Sequence, residues 1–131
     1  MLTNQSGVGR GIYTEDDVRA CNDRMIALLR DEGVELEAIY HCPHAPEENC
    51  ACRKPATGLM EKAAERLGFE PADAWMVGDK EADIRLGRNC GARTVLVRTG
   101  KGREAEEKCG GLANFVVDNL AEAARIIEER S

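Results

Sequence analysis

The sequence has no excess of positive charge and no long hydrophobic run. Its net charge is −6 over 131 residues, which argues against a general nucleic-acid binder, because such proteins present a basic face. No stretch approaches the roughly 20 apolar residues of a membrane-spanning helix, and the N-terminus lacks the basic and apolar pattern of a signal peptide. We therefore expect a cytoplasmic protein that binds neither nucleic acid nor membrane, in which local cations meet any anionic ligand.

Internal repeats, low-complexity tracts and interdomain linkers are also missing. A chain of 131 residues is long enough to bury a core and short enough to form one domain. Hydrophobic residues make up 43% and charged residues 32%, which is ordinary for a globular protein. The sequence predicts a single domain over residues 1–131.

The six cysteines indicate metal binding or buried thiols, because disulfides are rare in the cytoplasm. Three of them share a short loop, residues 42–52, with a histidine. Three thiols and an imidazole are a standard closed donor set for zinc, and two ligand pairs on one loop can complete a tetrahedron. The alternative is loose or disulfide-bonded cysteines. The predicted ligands are Cys42, His44, Cys50 and Cys52.

The remaining cysteines and the second histidine receive other interpretations. Cys21 and Cys90 lie in helical patterns, so we expect both to be small core residues. Cys109 follows no clear pattern in a glycine-rich region. His41 is a spare candidate ligand, but it is better placed to end the strand before the loop.

Short apolar segments alternate with amphipathic helical patterns along the chain. This order predicts an α/β fold, a three-layer Rossmann-like sandwich with a mainly parallel sheet. Thr14 and Asp17 have the spacing of a capping box at the first long helix. Strands are expected to end at Thr3 and to lie within residues 36–40, 74–77, 94–97 and 115–117. Helices are expected to end at Gly33, Gly68 and Gly91, and a closing helix runs through Ile127. A turn is expected over residues 5–11, and a loop with at most one helical turn over residues 99–114.

Polar residues cluster where the predicted strands end. In parallel sheets ligands bind at the carboxyl ends of the strands, and Thr3-Asn4, Arg53-Lys54 and Asp79-Lys80 fall at such positions. Asp83 lies one helical turn beyond Asp79 and either supports a metal site or bonds backbone or solvent. Lys101 and Arg103 are expected on an exposed loop.

Four segments together, residues 3–11, 42–55, 77–87 and 92–102, resemble those of the haloacid dehalogenase-type phosphatases. Within that group they are most similar to the bacterial D-glycero-D-manno-heptose 1,7-bisphosphate phosphatases and the related histidinol-phosphate phosphatase domains. The resemblance covers nearly the whole chain. Its most specific part is the cysteine-histidine loop joined directly to Arg-Lys-Pro.

The resemblance implies a phosphomonoester hydrolase that removes the 7-phosphate of a phosphorylated sugar, heptose 1,7-bisphosphate, through an aspartyl-phosphate. It implies that Thr3 holds the transferring phosphoryl group, that Lys54 stabilises the charge on it, and that Asp79 binds a catalytic Mg2+. The zinc, with four protein ligands and no open position, would only stiffen its loop. The implied protein is a monomer when complete, and its implied substrate-binding residues are Thr3, Asn4, Gln5, Ser6, Arg53, Lys54 and Lys80.

One family motif is missing, because the sequence contains no Asp-x-Asp. In the family this pair supplies the nucleophile and the acid/base at the end of a first strand that lies well before the position of Thr3. We therefore expect an N-terminally truncated chain without the central strand, which would lie between the strands ending at Thr3 and Gly78. Such a chain is expected to be inactive and poorly stable.

Two alternatives stay open. Histidinol phosphate is the closest rival substrate, and nothing in the sequence separates it from the heptose. A non-catalytic, zinc-stabilised module that binds a phosphorylated ligand or a partner protein is favoured by the missing Asp-x-Asp. The retention of Thr3, Lys54 and Asp79 argues against that module, because a chain without a catalytic role has no need for all three.

Overall fold

The computed structural model describes all residues 1–131 and divides them into two compact units, Met1–Arg53 and Lys54–Ser131. The single-domain organisation stays a prediction. None of the helices combines the length and apolar character needed to cross a membrane. The first unit contains β1 (Leu2–Asn4), α1 (Ser6–Gly9), α2 (Glu15–Asp31) and β2 (Tyr40–Cys42), and the second contains α3 (Gly58–Leu67), β3 (Trp75–Gly78), α4 (Glu81–Asn89), β4 (Arg93–Val97), α5 (Gly102–Cys109), β5 (Phe115–Val117) and α6 (Leu120–Arg130).

The first unit is built on the parallel pair β1 and β2, in which Thr3 lies opposite His41. Helix α2 begins with the predicted capping box: Thr14 Oγ1 accepts the Asp17 N–H at 3.1 Å, and Asp17 Oδ2 accepts the Thr14 N–H at 2.8 Å. These two bonds satisfy donors that a helix N-terminus otherwise leaves unpaired. The sequence therefore placed the start of α2 correctly.

Two features of the first unit differ from expectation. The strand predicted over residues 36–40 lies at Tyr40–Cys42 instead, because only these residues face the backbone of β1. The turn predicted over 5–11 contains a short helix, α1, whose Gly7 is buried. The shift of β2 places Cys42 at the end of a strand, where hydrogen bonding fixes its backbone.

The second unit is a layered structure around the parallel sheet β3-β4-β5. Successive side chains of a strand point to opposite faces, so Leu96 packs with Ile84 of α4 and Ala105 of α5. Its neighbours Val95 and Val97 pack with Ala123 of α6 on the other face. Helices thus cover both faces of a parallel sheet, which confirms the predicted α/β class.

The segment predicted as a loop over residues 99–114 contains a full helix, α5. Gly102 begins it in close contact with the carbonyl oxygen of Val97, so that even a methyl group would clash there. Ala105 and Cys109 then reach the core, where Cys109 is only 1% exposed. Tertiary packing, rather than intrinsic helix preference, stabilises this short helix.

The prediction that Cys21 and Cys90 are core residues fails for Cys21, which is exposed on α2, whereas Cys90 is half-buried at the end of α4. Only Val18 is buried along the whole of α2. An apolar stripe therefore did not guarantee burial in this helix. A helical pattern reports which residues share a face, and the neighbouring elements decide how much of that face is covered.

Candidate functional site

The four predicted metal ligands converge in the first unit, where one donor atom from each lies within 4.8 Å of all the others. Cys42 Sγ is 3.4 Å from both His44 Nδ1 and Cys50 Sγ, and His44 Nδ1 is 3.2 Å from Cys52 Sγ. A tetrahedral zinc bound to sulfur at about 2.3 Å and nitrogen at about 2.0 Å separates its ligand atoms by roughly 3.5–3.8 Å. The cluster therefore has the donor set and nearly the size of a closed metal site.

The sulfur pair Cys42 and Cys52 is the most compressed edge of this cluster, at 2.8 Å. That separation is longer than the ~2.05 Å of a covalent disulfide, and all six cysteines are free thiols. The disulfide interpretation is therefore wrong for this structure. A centrally bound ion requires this one edge to lengthen.

Local structure holds the cluster in place. The Gly9 N–H donates to the Pro43 carbonyl oxygen at 2.8 Å, and the close approach of Ala45 and Glu48 leaves no room for a side chain at Gly9. Glu48 Oε2 in turn accepts the Ala45 N–H. The loop that carries the four ligands is thus bonded to itself and to α1.

The thiols of the cluster differ in acidity. Burial acts to raise the pKa of Cys50, but hydrogen bonds from Cys42 and from the backbone of Arg53 and Cys52 outweigh it and lower that pKa to about 6. Burial and the sulfurs of Cys42 and Cys50 raise the pKa of Cys52 to about 12. Burial is also the main cause that raises the pKa of Cys42. Without a cation, close-packed sulfurs favour one negative charge.

His41, the spare candidate, does not join the cluster. Its Nε2 lies 2.7 Å from Glu15 Oε2 on α2. His41 lies in a strand as expected, but β2 ends one residue later, at Cys42. Its hydrogen bond links β2 to the helix instead of to a metal.

The residues that follow β1 form a second polar group. Gln5 N–H donates to the Cys42 carbonyl oxygen at 2.7 Å, and its side-chain Nε2 donates to Thr3 Oγ1 at 3.2 Å. Asn4 and Ser6 flank Gln5 and are half-buried. The structure therefore brings the predicted residues Thr3 to Ser6 together where β1 ends.

In the second unit the predicted cation Lys54 is held by a carboxylate. Lys54 Nζ lies 2.5 Å from Asp83 Oδ1 on α4, and the two side chains are only 11% and 6% exposed. The other oxygen of Asp83 accepts the backbone N–H of Lys80 at 3.2 Å. Asp83 can approach so closely because Gly78, at the end of β3, has no side chain to block it.

Asp79 directly follows β3, and its Oδ2 accepts the backbone N–H of Lys101 at 2.9 Å. Gly100, at φ +59°, lies against the same carboxylate with no room for a side chain. A carboxylate has about four acceptor positions, and this bond uses one of them. Asp79 is thus an oriented, half-buried oxygen donor of the kind that Mg2+ prefers.

The other two predicted cations are arranged differently. Lys80 is exposed and lines a shallow pocket of about 270 Å³ with Lys101, Lys108 and Glu81. Arg53, the residue after Cys52, carries a buried Nη1 without a hydrogen-bond partner. A buried guanidinium nitrogen without a partner is costly, and an anionic ligand is one group that could pair with it.

Sequence reasoning missed two contributors to these groups. The sequence leaves two roles open for Asp83, yet its position three residues after the N-cap Lys80 is one where an acidic side chain can accept the backbone N–H of the N-cap residue, and the structure shows that bond. Tyr13 gave no signal, because its contact with Gln5 spans eight residues of irregular chain.

Comparison with known proteins begins with a family model described as HAD-hydrolase-like, which matches residues 51–123. The chain is 40% identical over 125 residues to the D-glycero-β-D-manno-heptose-1,7-bisphosphate 7-phosphatase of Pseudomonas putida, and this match covers 95% of the chain and 71% of the relative. It is also 36% identical over 97 residues to the histidine biosynthesis bifunctional protein of Legionella pneumophila, covering 74% of the chain and 28% of that protein.

A solved structure shares the fold. The D,D-heptose 1,7-bisphosphate phosphatase from B. bronchiseptica, complexed with magnesium and phosphate, superposes with a TM-score of 0.91 at 35% sequence identity. The match covers 99% of this chain and 73% of that one. Its Rossmann-like α/β architecture is the one predicted from the order of elements.

Proposed function

This chain belongs to the HAD-like hydrolase family, and we propose that it serves the hydrolysis of a phosphomonoester, the 7-phosphate of D-glycero-D-manno-heptose 1,7-bisphosphate. The observation that carries the proposal is the buried Lys54–Asp83 pair, at 2.5 Å, in the same unit as Asp79 at the end of β3. An oriented cation and a metal-binding carboxylate meet the main requirement of phosphoryl transfer, the neutralisation of spreading negative charge.

In this proposal each residue has a limited role. Lys54 donates to phosphoryl oxygens while Asp83 holds its ammonium in one position, and the role proposed for the Thr3 hydroxyl is likewise a hydrogen bond to a phosphoryl oxygen. Asp79 would hold Mg2+, which when bound screens the negative charges of the phosphate and of an attacking carboxylate. Arg53, Asn4, Ser6 and Lys80 would contact the rest of the phosphorylated sugar.

The attacking group is an aspartate in the proposed chemistry, which forms an aspartyl-phosphate that water then hydrolyses. The 131 residues contain no Asp-x-Asp. We therefore keep the expectation that this chain by itself gives no turnover, and the proposal concerns the part of the site that its residues supply.

We also propose that the cluster of Cys42, His44, Cys50 and Cys52 holds zinc. Three thiolates and an imidazole leave no open coordination position, so the metal would act structurally. Arg53 follows the last ligand directly, so a rigid loop would limit the freedom of its backbone. The three ligand cysteines must stay reduced to bind zinc, so the cytoplasm is the proposed location.

The test supplies the missing aspartate. A segment that carries the family's Asp-x-Asp motif is joined to the N-terminus of the chain, and phosphate release from heptose 1,7-bisphosphate is measured for the fusion and for the 131-residue chain. We expect turnover only from the fusion. Lys54→Met is expected to lower kcat about 100-fold or more, whereas Lys62→Met, an exposed lysine on α3, leaves it near that of the parent.

The same assay separates the other candidates. Histidinol phosphate is the second substrate to test, because one relative of this chain belongs to histidine biosynthesis. If the fusion hydrolysed histidinol phosphate faster than heptose 1,7-bisphosphate, histidinol phosphate would replace the heptose bisphosphate as the proposed substrate. A fusion that folds and binds phosphate but hydrolyses neither compound would favour the non-catalytic module, and turnover by the 131-residue chain would contradict its expected inactivity.

A further inference from the structure

Tyr13 is linked to Thr3 through the side chain of Gln5. The Tyr13 hydroxyl donates to Gln5 Oε1 at 2.7 Å, and Gln5 Nε2 donates to Thr3 Oγ1 at 3.2 Å. We propose that Tyr13 is a positioning residue, which acts through Gln5 to orient the Thr3 hydroxyl toward a bound phosphate. The inference rests on the proposed function, because it concerns how Thr3 meets the phosphoryl group.

The backbone fixes all three members of this link, and Thr3 is held in β1 opposite His41. Gln5 N–H donates to the Cys42 carbonyl oxygen at 2.7 Å, and Tyr13 N–H donates to the Gly7 carbonyl oxygen at 3.3 Å. The Tyr13 ring lies directly over Gly7, so closely that any side chain at Gly7 would occupy the ring position. The amide of Gln5 is therefore held between two groups whose own positions are restricted.

The direction of the hydrogen bonds follows from the chemistry of the phenol. A phenolic hydroxyl is a better proton donor than an aliphatic hydroxyl. It therefore favours the arrangement in which Gln5 presents its oxygen to Tyr13 and its NH2 group to Thr3. If the amide were reversed, Thr3 would have to donate its only proton to Gln5.

In the favoured arrangement Thr3 accepts a hydrogen bond and keeps its own proton. The protein acceptor for that proton is the Asn4 carbonyl oxygen at 3.5 Å, beyond the usual length of an O–H···O bond. The proton can therefore turn to a phosphoryl oxygen at little cost. Charge-assisted hydrogen bonds of this type are about twice as strong as neutral ones.

This arrangement also changes the role of Gln5. The resemblance implies that Gln5 contacts the substrate, yet its side-chain oxygen and nitrogen both bond within the first unit. Its side-chain amide connects Tyr13 to Thr3, with the oxygen toward Tyr13 and the nitrogen toward Thr3. A residue of the same shape that could only accept hydrogen bonds would reverse the bond to Thr3, which would then have to donate its proton to residue 5.

The test measures binding of inorganic phosphate to the full 131-residue chain in the presence of Mg2+, by titration followed in 1H–15N spectra. We expect Thr3→Ala to weaken binding about tenfold, in line with the loss of a hydrogen bond to a charged group. Tyr13→Phe, which keeps the ring over Gly7, should weaken binding about threefold and shift the Gln5 side-chain amide signals. In the Thr3→Ala background Tyr13→Phe should have no further effect, because the link then has no hydroxyl to orient.

Gln5→Glu is the second variant, since it keeps the shape and can accept from both hydroxyls. We expect it to weaken phosphate binding more in the Thr3 parent than in the Thr3→Ala background, where only charge repulsion acts. Tyr40→Phe, which removes the other tyrosine hydroxyl of the chain, is the control and should bind phosphate like the parent.

The outcomes separate the two proposals. A parent chain that binds no phosphate overturns the proposed function and this role of Tyr13 with it. Two results would overturn the positioning role while the proposed function stands, provided that the parent binds phosphate. One is a Tyr13→Phe variant with the phosphate affinity of the parent. The other is a Tyr13→Phe substitution that weakens phosphate binding as much in the Thr3→Ala background as in the parent. Loss of folding by Tyr13→Phe would show as collapsed spectra, and the Gln5→Glu comparison then decides the question.

Discussion

Lys54 and Asp83 form a buried ion pair, with Nζ and Oδ1 2.5 Å apart and side chains that are 11% and 6% exposed. Asp83 also accepts the N–H of Lys80 at the start of α4, so one carboxylate both caps a helix and holds the cation. The position of the proposed phosphate-binding ammonium is therefore coupled to the first turn of α4.

Removal of Asp83 should be strongly destabilising. Asp83→Ala leaves the Lys54 ammonium without its carboxylate and is expected to lower the free energy of unfolding by about 3–5 kcal/mol. The control is Glu81→Ala on the same helix, which breaks the exposed pair with Arg85 at 2.8 Å and should cost about 0.5 kcal/mol. Urea unfolding measures both, and equal effects would contradict the burial argument.

Replacement of both partners tests whether the pair serves stability or position. The double variant Lys54→Met with Asp83→Leu should be more stable than Asp83→Ala, because apolar residues of similar size avoid burying an unpaired charge. The same double variant is expected to lose phosphate binding. If phosphate binding survived, the ammonium would have no role at the site.

The cysteine-histidine cluster should bind about one equivalent of zinc. Cys50→Ser and Cys52→Ser each remove a ligand and should reduce bound zinc to less than half an equivalent, measured by elemental analysis of chelator-free protein. Cys21→Ser, at an exposed position on α2, is the matched control and should retain the metal. Removal of zinc by a chelator should lower the melting temperature by about 5 °C or more.

Gly100 should control the orientation of Asp79. Gly100→Ala places a methyl group against the Asp79 carboxylate and also strains a backbone at φ +59°. Gly68→Ala has comparable strain at φ +72°, with open space around it. Both variants should lose about 1–2 kcal/mol of stability, but only Gly100→Ala should weaken Mg2+ binding in an NMR titration. Equal Mg2+ affinity in the two variants would count against Asp79 as a metal ligand.

The Arg98–Glu106 pair should make stability depend on acid pH. Hydrogen bonds from Arg98, at 2.8 and 2.9 Å, hold the pKa of Glu106 below its usual value. The stability from this pair is therefore present above the unfolded-state pKa of about 4.3, and it is lost as the pH falls through the lower folded-state pKa.

Thermal melts between about pH 7 and pH 3 test this sign. Glu106→Gln should have a lower melting temperature than the parent near neutral pH, and the difference should shrink toward the acid end. Glu107→Gln removes the same charge from the next, exposed position and should show a nearly constant difference. If the difference in melting temperature between Glu106→Gln and the parent grew on acidification, the direction of the pKa shift would be contradicted.

Features encoded within a few residues were predictable. The four metal ligands lie within one short loop, so their convergence needs only that loop to fold back. The capping box of Thr14 and Asp17 is equally local, and it formed as predicted. The parallel α/β order was also readable, because buried strands and amphipathic helices have different periods.

Contacts between distant segments were not predictable in the same way. The sequence predicts a loop where α5 forms. The packing of Ala105 and Cys109 on β4 and α4 that stabilises this helix depends on residues far away in the chain. The helical pattern predicts Cys21 in the core, but the structure leaves it exposed on α2. The strand predicted at 36–40 moved to 40–42, because pairing with β1 sets where β2 begins.

The sequence by itself determined the donor atoms, the charges and the local folding signals of this protein. Only the tertiary structure decided that Asp83 holds Lys54, that Lys101 orients Asp79, and that Tyr13 reaches Thr3 through Gln5. The physical reason is that a hydrogen bond depends on distance and angle to within fractions of an ångström. Those distances and angles are set by how strands and helices pack, so they cannot be read from the order of residues alone.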